Sequence, residues 1–146
     1  MDRINVKAVK IRPGAKLPVY VYDGDAGADL YSAEDCRIEP GERKLVRTGI
    51  SLAIPYGYEG QVRPKSGIAL KRGVTVLNSP GTIDSTYRGE ICVLLINTDL
   101  REAYDIKTGE KIAQIVFKAV ARAEFLPAES LENSARNEGS FGSTGV

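Results

Sequence analysis

The number of turn-forming residues is the feature that most limits how this chain can fold. Its 146 residues include 15 glycines and 7 prolines, which divide the chain into short apolar segments. Glycine and proline in such numbers interrupt long helices and suit tight turns between strands. The length is that of one domain of ordinary size. We therefore predict an all-β fold of many short strands, a barrel or sandwich, rather than a helical bundle.

Segments of strand length follow one another along the chain. They cover residues 4–11, 17–22, 44–54, 74–77, 90–97 and 112–117. In the first segment Ile4, Val6 and Ala8 alternate with polar residues, and the alternation slips at Val9. Val9 and Ile11 would therefore face the other way unless a bulge intervenes. The segment 90–97 is a continuous apolar run, which predicts a strand with both faces buried.

Only residues 66–72 have a helical character. We expect Ser66 to cap the start of this short helix and Gly73 to end it. From Pro127 onward the apolar content falls, and residues 138–145 are rich in glycine and serine. Such a composition is typical of a flexible segment. We predict a β domain over residues 1–126 and a C-terminal arm over residues 127–146.

The absence of histidine excludes several kinds of catalytic site. With no histidine and only two cysteines, the chain cannot build a Ser-His-Asp triad, a His-ligated metal site, a Cys-rich zinc site or a disulfide framework. A single bridge between Cys36 and Cys92 stays open. Two cysteines favour a reducing compartment, hence the cytoplasm. Catalysis must use carboxylates, amides, hydroxyls, Lys or Arg, and a hard divalent cation stays open as a further component.

The charge balance bears on the partners of the chain. Lys and Arg total 20 and Asp and Glu total 19, a net charge of +1, whereas a duplex-binding protein usually carries a large basic excess. No apolar run approaches the ~18 residues of a membrane span, and the first residues do not have the pattern of a signal peptide. We expect neither a nucleic-acid nor a membrane partner.

Five segments contain residues that could take part in catalysis or ligand binding. They are Ala-Gly-Ala-Asp-Leu at 26–30, Arg-Pro-Lys-Ser-Gly at 63–67, Gly-Thr-Ile-Asp-Ser-Thr-Tyr-Arg-Gly-Glu at 81–90, Gly-Glu-Lys-Ile-Ala-Gln at 109–114 and Gly-Ser-Phe-Gly-Ser-Thr-Gly at 139–145. Taken singly, each has a purely structural explanation: a turn, a capped surface helix, a hairpin with a solvated Asp, a satisfied core Gln and a disordered terminus. Asp84 near the aromatic Tyr87 nevertheless suits a general base beside a sugar or base ring.

Taken together and in this order, the five segments resemble the motifs of the trimeric dUTPases, and the resemblance covers most of the chain. It implies a distorted β-barrel or jelly roll of the β-clip type that assembles as a homotrimer. It also implies active sites at subunit interfaces, with the arm of one subunit closing over a site built by its neighbours. The implied reaction is hydrolysis of dUTP to dUMP and pyrophosphate, which keeps uracil out of DNA and supplies dUMP for thymidylate synthesis.

The resemblance also implies roles for residues of this chain. Asp84 would deprotonate the attacking water, Gln114 would contact the α-phosphate or that water, and Tyr87 would exclude a 2′-hydroxyl. The implied uracil contacts are Asn78, Gly81, Thr82, Ile83 and Cys92, with Phe141 stacking on the base. The implied phosphate contacts are Lys65, Ser66, Gly67, Arg136, Gly142, Ser143 and Thr144. The implied cofactor is Mg²⁺, bridging phosphate oxygens, with Asp29 holding it through water.

The chain departs from the usual motifs at four positions. Lys65 stands where the family usually has Arg, which replaces a bidentate fork by a point charge. Arg63, two residues earlier in an extended segment, could compensate. Thr86 stands where Asp or Gly is usual, and Asn137 and Ser140 where Gly is frequent. We expect activity to survive these changes.

Three other functions compete with dUTP hydrolysis. A dCTP deaminase shares the barrel, but its family lacks the phenylalanine-bearing arm. A module that senses dUTP without efficient turnover is favoured only by Lys65 and Thr86. A generic β-barrel interaction domain would use none of the five segments.

Overall fold

The computed structural model describes residues 3–145, which form ten strands and one short helix. The strands are β1 (Lys7–Lys10), β2 (Ala28–Tyr31), β3 (Cys36–Ile38), β4 (Arg43–Ala53), β5 (Tyr58–Arg63), β6 (Val74–Val76), β7 (Gly81–Ile83), β8 (Glu90–Asn97), β9 (Tyr104–Ile106) and β10 (Lys111–Ala119). The helix α1 (Ser66–Arg72) lies between β5 and β6. The prediction of an all-β fold with one short helix is confirmed.

Three antiparallel sheets make up the fold. The first has the strand order β1-β4-β8-β6, the second has the order β2-β10-β5-β7, and β3 pairs with β9 in a small third sheet. Adjacent strands in these orders are mostly distant in sequence. The second sheet brings four of the chemically interesting segments together, because β2, β5, β7 and β10 contain or adjoin them.

One apolar core receives side chains from all three sheets. Its fully buried aliphatic members include Leu30, Ile38, Val46, Ile50, Val74, Ile91, Val93, Leu95, Ile106, Ile112 and Ile115. Burying an aliphatic side chain of this size contributes about 1.5–3 kcal/mol. The core therefore fixes the strand positions from which the candidate site is built.

Residues 17–22 do not form the predicted strand. Their β pairing is a single bridge between Val19 and Asp29, and most of the apolar side chains of the segment stay exposed. Pro18 has no N–H to give to a ladder. The chain then turns, because the Tyr22 N–H donates to Asp25 Oδ2 at 2.9 Å. High β propensity without a partner strand does not make a strand here.

The apolar run of β8 differs from its prediction on one face. Ile91, Val93 and Leu95 are fully buried, but Cys92 and Leu94 on the other face are only half-buried. The prediction of two buried faces is therefore wrong for the single chain. Strand β1 is shorter than its segment, and its pairing with β4 has no bulge. Val9 therefore faces away from Ala8 and is exposed, as the slip in the sequence pattern predicts.

The helix α1 has the predicted bounds, but its N-cap residue differs from the predicted one. Its N-cap is Lys65 in an extended conformation, with no side-chain capping bond, and Ser66 is the first helical residue. The prediction of Ser66 as the cap is wrong, because the extended backbone before the helix continues one residue past Pro64. Gly73 ends the helix in the left-handed region at φ 63°, as expected.

Residues 81–90 do not form the predicted hairpin. Strand β7 pairs with β5, whereas β8 pairs with β4 and β6, so the loop connects two different sheets. Both cysteines, Cys36 and Cys92, are free. Over residues 3–145 no helix has the length and apolar character needed to cross a membrane.

Candidate active site

The loop between β7 and β8 borders a cleft of about 310 Å³. The cleft is lined by Leu45, Thr82, Ile83, Asp84, Tyr87, Glu90 and Cys92. Five of these residues, Thr82, Ile83, Asp84, Tyr87 and Cys92, are ones for which the sequence predicts a catalytic or substrate-binding role. The cleft thus combines a carboxylate, an aromatic ring and a strand edge.

Asp84 and Tyr87 are the two ends of a tight turn in this loop. The Tyr87 N–H donates to the Asp84 carbonyl at 3.0 Å, which holds the two residues together. The Asp84 side chain is exposed, and among residues 3–145 no group donates a hydrogen bond to its carboxylate. A solvated carboxylate beside an aromatic ring can accept a proton from a bound water or a hydroxyl.

The β7 strand offers main-chain groups to the same cleft. It is the last strand of the second sheet, so the N–H and C=O groups on its outer side have no strand partner within residues 3–145. Next to it, the Asn78 side chain packs against Gly81, where a Cβ would lie 3.3 Å from Asn78 Nδ2. Burial, and then the Glu90 carboxylate, raise the pKa of the Cys92 thiol, which stays neutral at pH 7.

Asp29 lies elsewhere in the second sheet and carries two ion pairs. Lys65 Nζ is 2.6 Å from Asp29 Oδ1, and Lys111 Nζ is 2.7 Å from Oδ2. The Oδ2 contact is ionic without being a well-aligned hydrogen bond. Burial alone would raise the pKa of Asp29, but the two ammonium groups together lower it. Two cations against one anion leave this cluster with a net positive charge.

Gln114 lies in the same row of the sheet as Asp29. Strand register places it opposite Asp29 on one side and Arg63 on the other. Its Nε2 donates to the Pro64 carbonyl at 2.9 Å. Its Oε1 approaches Gly27 so closely that a Cβ there would lie only 2.1 Å away. The Gln114 amide therefore lies between Gly27, which leaves space for its oxygen, and the Pro64 carbonyl, which accepts its hydrogen bond.

Arg63 does not join the Asp29 cluster. Its guanidinium donates to Gln61 Oε1, through Nε at 3.1 Å and Nη2 at 2.5 Å. A second cleft of about 380 Å³ borders the cluster instead. It is lined by Lys65, Gly67, Ile68, Lys71, Arg72, Tyr104, Asp105, Glu110 and Lys111. Four cations against two carboxylates favour an anionic occupant.

The remaining predicted site residues lie at the surface. Ser66 and Gly67 are exposed at the start of α1. Strand β10 ends at Ala119, and Val120 makes the last main-chain bond to another part of the chain, to Gly57. Arg136, Phe141, Gly142, Ser143 and Thr144 are exposed. The hydrogen bonds of residues 121–145 join only residues of this segment. Val146 lies outside the described residues.

The two parts of the candidate site do not meet in one chain. Gln114 is two strands away from β7 and opposite Arg63, whereas Asp84 follows Ile83, which is opposite Gly60. With strands about 4.8 Å apart and about 3.4 Å per residue, Gln114 and Asp84 are roughly 16 Å apart at their Cα atoms. Their side chains cannot reach one reacting atom across that distance.

The donor groups near Asp29 allow a test of the predicted Mg²⁺. Residues 3–145 contain no cluster of three or more Asp, Glu, His or Cys residues that could hold a metal ion. Asp29 Oδ2 has capacity for a water-mediated contact, but two ammonium groups flank it. Mg²⁺ in proteins commonly keeps several waters and binds through one or two carboxylates plus substrate phosphates. The residues fit an ion that enters with a phosphorylated ligand.

Comparison with known proteins identifies the family of the chain. The dUTPase family model matches residues 14–145. The chain belongs to the dUTPase family. The predicted family and enzyme class, dUTP diphosphatase, are thereby confirmed. A deoxyuridine 5'-triphosphate nucleotidohydrolase from Nautilia profundicola is 52% identical over 142 residues, which cover 97% of this chain and 99% of that protein.

Solved dUTPase structures share the fold. The Staphylococcus bacteriophage 80alpha dUTPase with dUPNHPP has a TM-score of 0.90 at 27% identity, covering 97% of this chain and 99% of that one. A mutant dUTPase from phage phi11 of S. aureus, described with its coordination of a structural Mg(II) ion, has a TM-score of 0.81 at 25% identity. That match covers 89% of this chain and 100% of the phage chain.

Sequence reasoning assigned no role to three residues that contact the candidate site. Lys111 pairs with Asp29, and Glu90 lines the cleft. Both residues lie inside the five segments, Lys111 in 109–114 and Glu90 in 81–90. Their charge within a motif is the signal that could have indicated a role. Leu45 reaches the cleft only because β4 pairs with β8, and no local pattern indicates that pairing.

Proposed function

We propose that this chain hydrolyses dUTP to dUMP and pyrophosphate. Water attacks the α-phosphorus, the bond from that phosphorus to the bridging oxygen breaks, and pyrophosphate leaves with the electron pair. Asp84 accepts the proton that the attacking water loses. Gln114 donates to an α-phosphate oxygen or orients the water. Catalysis is then mainly positioning and charge neutralisation, with one general base.

The observation that carries this proposal is the cleft between β7 and β8. It holds the Asp84 carboxylate, the Tyr87 ring and the free edge of β7 around a volume of about 310 Å³. Base, sugar and water sites would lie side by side in it. The family supplies the reaction, and the cleft supplies the residues that would perform it.

Selectivity for deoxyuridine follows from the same groups. The main chain of Gly81, Thr82 and Ile83, with Cys92 and Asn78 nearby, presents donors and acceptors to a uracil edge. Cytosine would present the wrong pattern, and an unpaired buried polar group costs about 1–3 kcal/mol. Tyr87 would pack against the deoxyribose and leave no room for a 2′-hydroxyl.

The triphosphate would bind beside the Asp29 cluster, where two ammonium groups face one carboxylate. Lys65 contributes an ammonium group, and Ser66 and Gly67 contribute a hydroxyl and an N–H. When bound, Mg²⁺ would neutralise phosphate charge, and Asp29 would contact it through water. The two ammonium groups on Asp29 support a ligand that brings its own negative charge.

We propose that the active unit is a homotrimer with sites shared between subunits. The distance of roughly 16 Å between Gln114 and Asp84 supports a shared site, in which a second copy would supply one of the two residues. An apolar row on the outer face of the first sheet supports such an assembly. Leu45 and Leu94 are paired across β4 and β8, and the Leu77 N–H donates to the Leu94 carbonyl.

The C-terminal arm completes the proposed site. We propose that residues 1–126 form the β domain and that residues 127–146 close over a neighbouring subunit. Phe141, which is fully exposed in the single chain, would stack on uracil. Arg136, Gly142, Ser143 and Thr144 would contact the phosphates. Backbone and hydroxyl donors suit phosphate oxygens, and a Phe ring suits a planar base.

The cellular role follows from the reaction. Removal of dUTP would keep uracil out of DNA, and dUMP would supply thymidylate synthesis. We place the enzyme in the cytoplasm, which the two free cysteines support. Its partners would be dUTP and two further copies of the chain, without nucleic acid or membrane.

The test is pyrophosphate release from dUTP, UTP, dTTP and dCTP in parallel, with Mg²⁺. We expect release from dUTP alone and its loss in Asp84→Asn, which keeps the shape and removes the base. Asp23→Asn is the matched control, because Asp23 is exposed and outside every segment assigned to the site. Ammonia from dCTP would indicate a deaminase, and dUTP binding without release would indicate a sensing module.

A further inference from the structure

The side chain of Tyr87 lies directly over Gly89. A Cβ built on Gly89 would be 2.3 Å from the Tyr87 hydroxyl oxygen, 2.5 Å from Cζ and 2.9 Å from Cε2. Real Cβ atoms essentially never come within 3.0 Å of another heavy atom in this way. The ring can therefore occupy this position only while residue 89 has no side chain.

The same hydroxyl end of the ring is anchored to Glu90. The Tyr87 hydroxyl donates to the Glu90 carbonyl at 3.0 Å. The Glu90 side chain is itself held by Arg12 Nε at 2.8 Å, by the Gly49 N–H at 3.0 Å and by Arg47 Nη1 at 3.4 Å. A fixed peptide at Glu90 gives the hydroxyl a fixed acceptor. Two neighbouring residues thus define where the ring lies in the cleft.

We propose that Gly89 is a positioning residue that sets the Tyr87 ring and thereby the discrimination between deoxyribose and ribose. This inference rests on the proposed function, because it assigns a role in the selectivity of that reaction. Gly89 touches no substrate in this proposal. It acts through the space that it leaves for the ring.

Gly89→Ala tests the contact between the Tyr87 ring and residue 89 without disturbing the backbone. Gly89 is not among the glycines with positive φ, so alanine can adopt its conformation. Tyr87 is 44% exposed, so its ring can rotate into solvent instead of straining the fold. The expected result is a displaced ring in a protein of unchanged melting temperature.

The experiment is a double-mutant cycle with Gly89→Ala, Tyr87→Ala and the double variant. For each, the measurement is the ratio of kcat/KM for dUTP to kcat/KM for UTP. We expect Gly89→Ala to lower this ratio about tenfold or more and to have no further effect in the Tyr87→Ala background. Tyr87→Phe, which keeps the ring and removes the hydroxyl, should give an intermediate ratio.

Thr86→Ala is the matched control, since it truncates an exposed side chain in the same loop. An unchanged ratio in Gly89→Ala, or effects of the two alanine variants that add, would overturn the role of Gly89. Wild-type protein without dUTP hydrolysis would instead contradict the proposed function. The two failures are therefore distinguishable.

Discussion

At the scale of single residues, Gly27 determines where the Gln114 amide can lie. A methyl group on Gly27 would collide with Gln114 Oε1, whose Nε2 is bound to the Pro64 carbonyl. We expect Gly27→Ala to displace the amide, lower kcat more than tenfold and destabilise the fold by about 1–3 kcal/mol. Steady-state kinetics and urea unfolding would measure both effects. Wild-type kcat in this variant would remove Gln114 from the catalytic step.

Asp29 is a buried charge that depends on its two lysines. We expect Lys65→Ala combined with Lys111→Ala to destabilise the protein by about 3 kcal/mol at pH 7, because Asp29 is left buried and unpaired. Without the lysines, burial should raise the pKa of Asp29 above its usual range. The destabilisation of the double variant relative to wild type should then become smaller as the pH falls through that pKa and the carboxyl becomes neutral.

Urea unfolding of the double variant from pH 7 to pH 4 would measure this dependence. Lys107→Ala is a useful control, because Lys107 forms an ion pair with Asp35 in which both side chains are largely exposed. Exposed pairs contribute at most about 1 kcal/mol. A double variant as stable as wild type at pH 7 would show that Asp29 is hydrated.

At the scale of elements, Glu90 connects β8 to β4 and to the loop after β1. The Arg12 hydrogen bond, against an opposing effect of burial, lowers the pKa of Glu90 from its ordinary value of 4.5. A lowered folded-state pKa means that the stabilisation is present above about pH 4.5 and is lost as the pH falls through the folded-state pKa. We expect Glu90→Gln to lower the melting temperature at pH 7 and to have a smaller effect at pH 3.

Melting curves of both proteins across this range would test the coupling. Glu124→Gln serves as the control, because Glu124 is exposed and beyond the last strand. An equal difference between wild type and Glu90→Gln at pH 7 and pH 3 would mean that the charge of Glu90 does not stabilise the fold.

The elements also show what local sequence can predict. Alternation and apolar runs located β1, β4, β6, β8 and β10, because side-chain periodicity is a property of each segment alone. The partner of β7 was mispredicted, since the choice between β5 and β8 depends on long-range packing. The strand predicted over residues 17–22 failed for the same reason, since the segment pairs only through the single bridge between Val19 and Asp29.

The same limit applies to the candidate site. Ordered motifs were enough to select Asp84, Tyr87 and Gln114. The close contacts that hold them, with Gly89 and Gly27, follow only from the folded positions of the side chains. In the proposed trimer, the pairing of residues in one site would depend on the assembly, which the periodicity of one chain does not encode.

At the scale of the whole molecule, the apolar row on the first sheet should control assembly. We expect Leu94→Lys to convert a trimer into folded monomers, because a charge on the outer face of β8 opposes burial against another copy. Sedimentation would show the smaller species, and dUTP hydrolysis should fall with it. Leu100→Lys, at a 90% exposed loop position, is the control. An active monomer would contradict the shared site.

The separation of Gln114 and Asp84 has a genetic consequence. If the catalytic carboxylate and the amide come from different chains, two alleles that are each inactive can restore one another. Co-expressed Asp84→Asn and Gln114→Ala subunits would form mixed trimers in which some sites combine the intact half of each allele. A cell carrying both would then remove dUTP, while a cell carrying either alone would not.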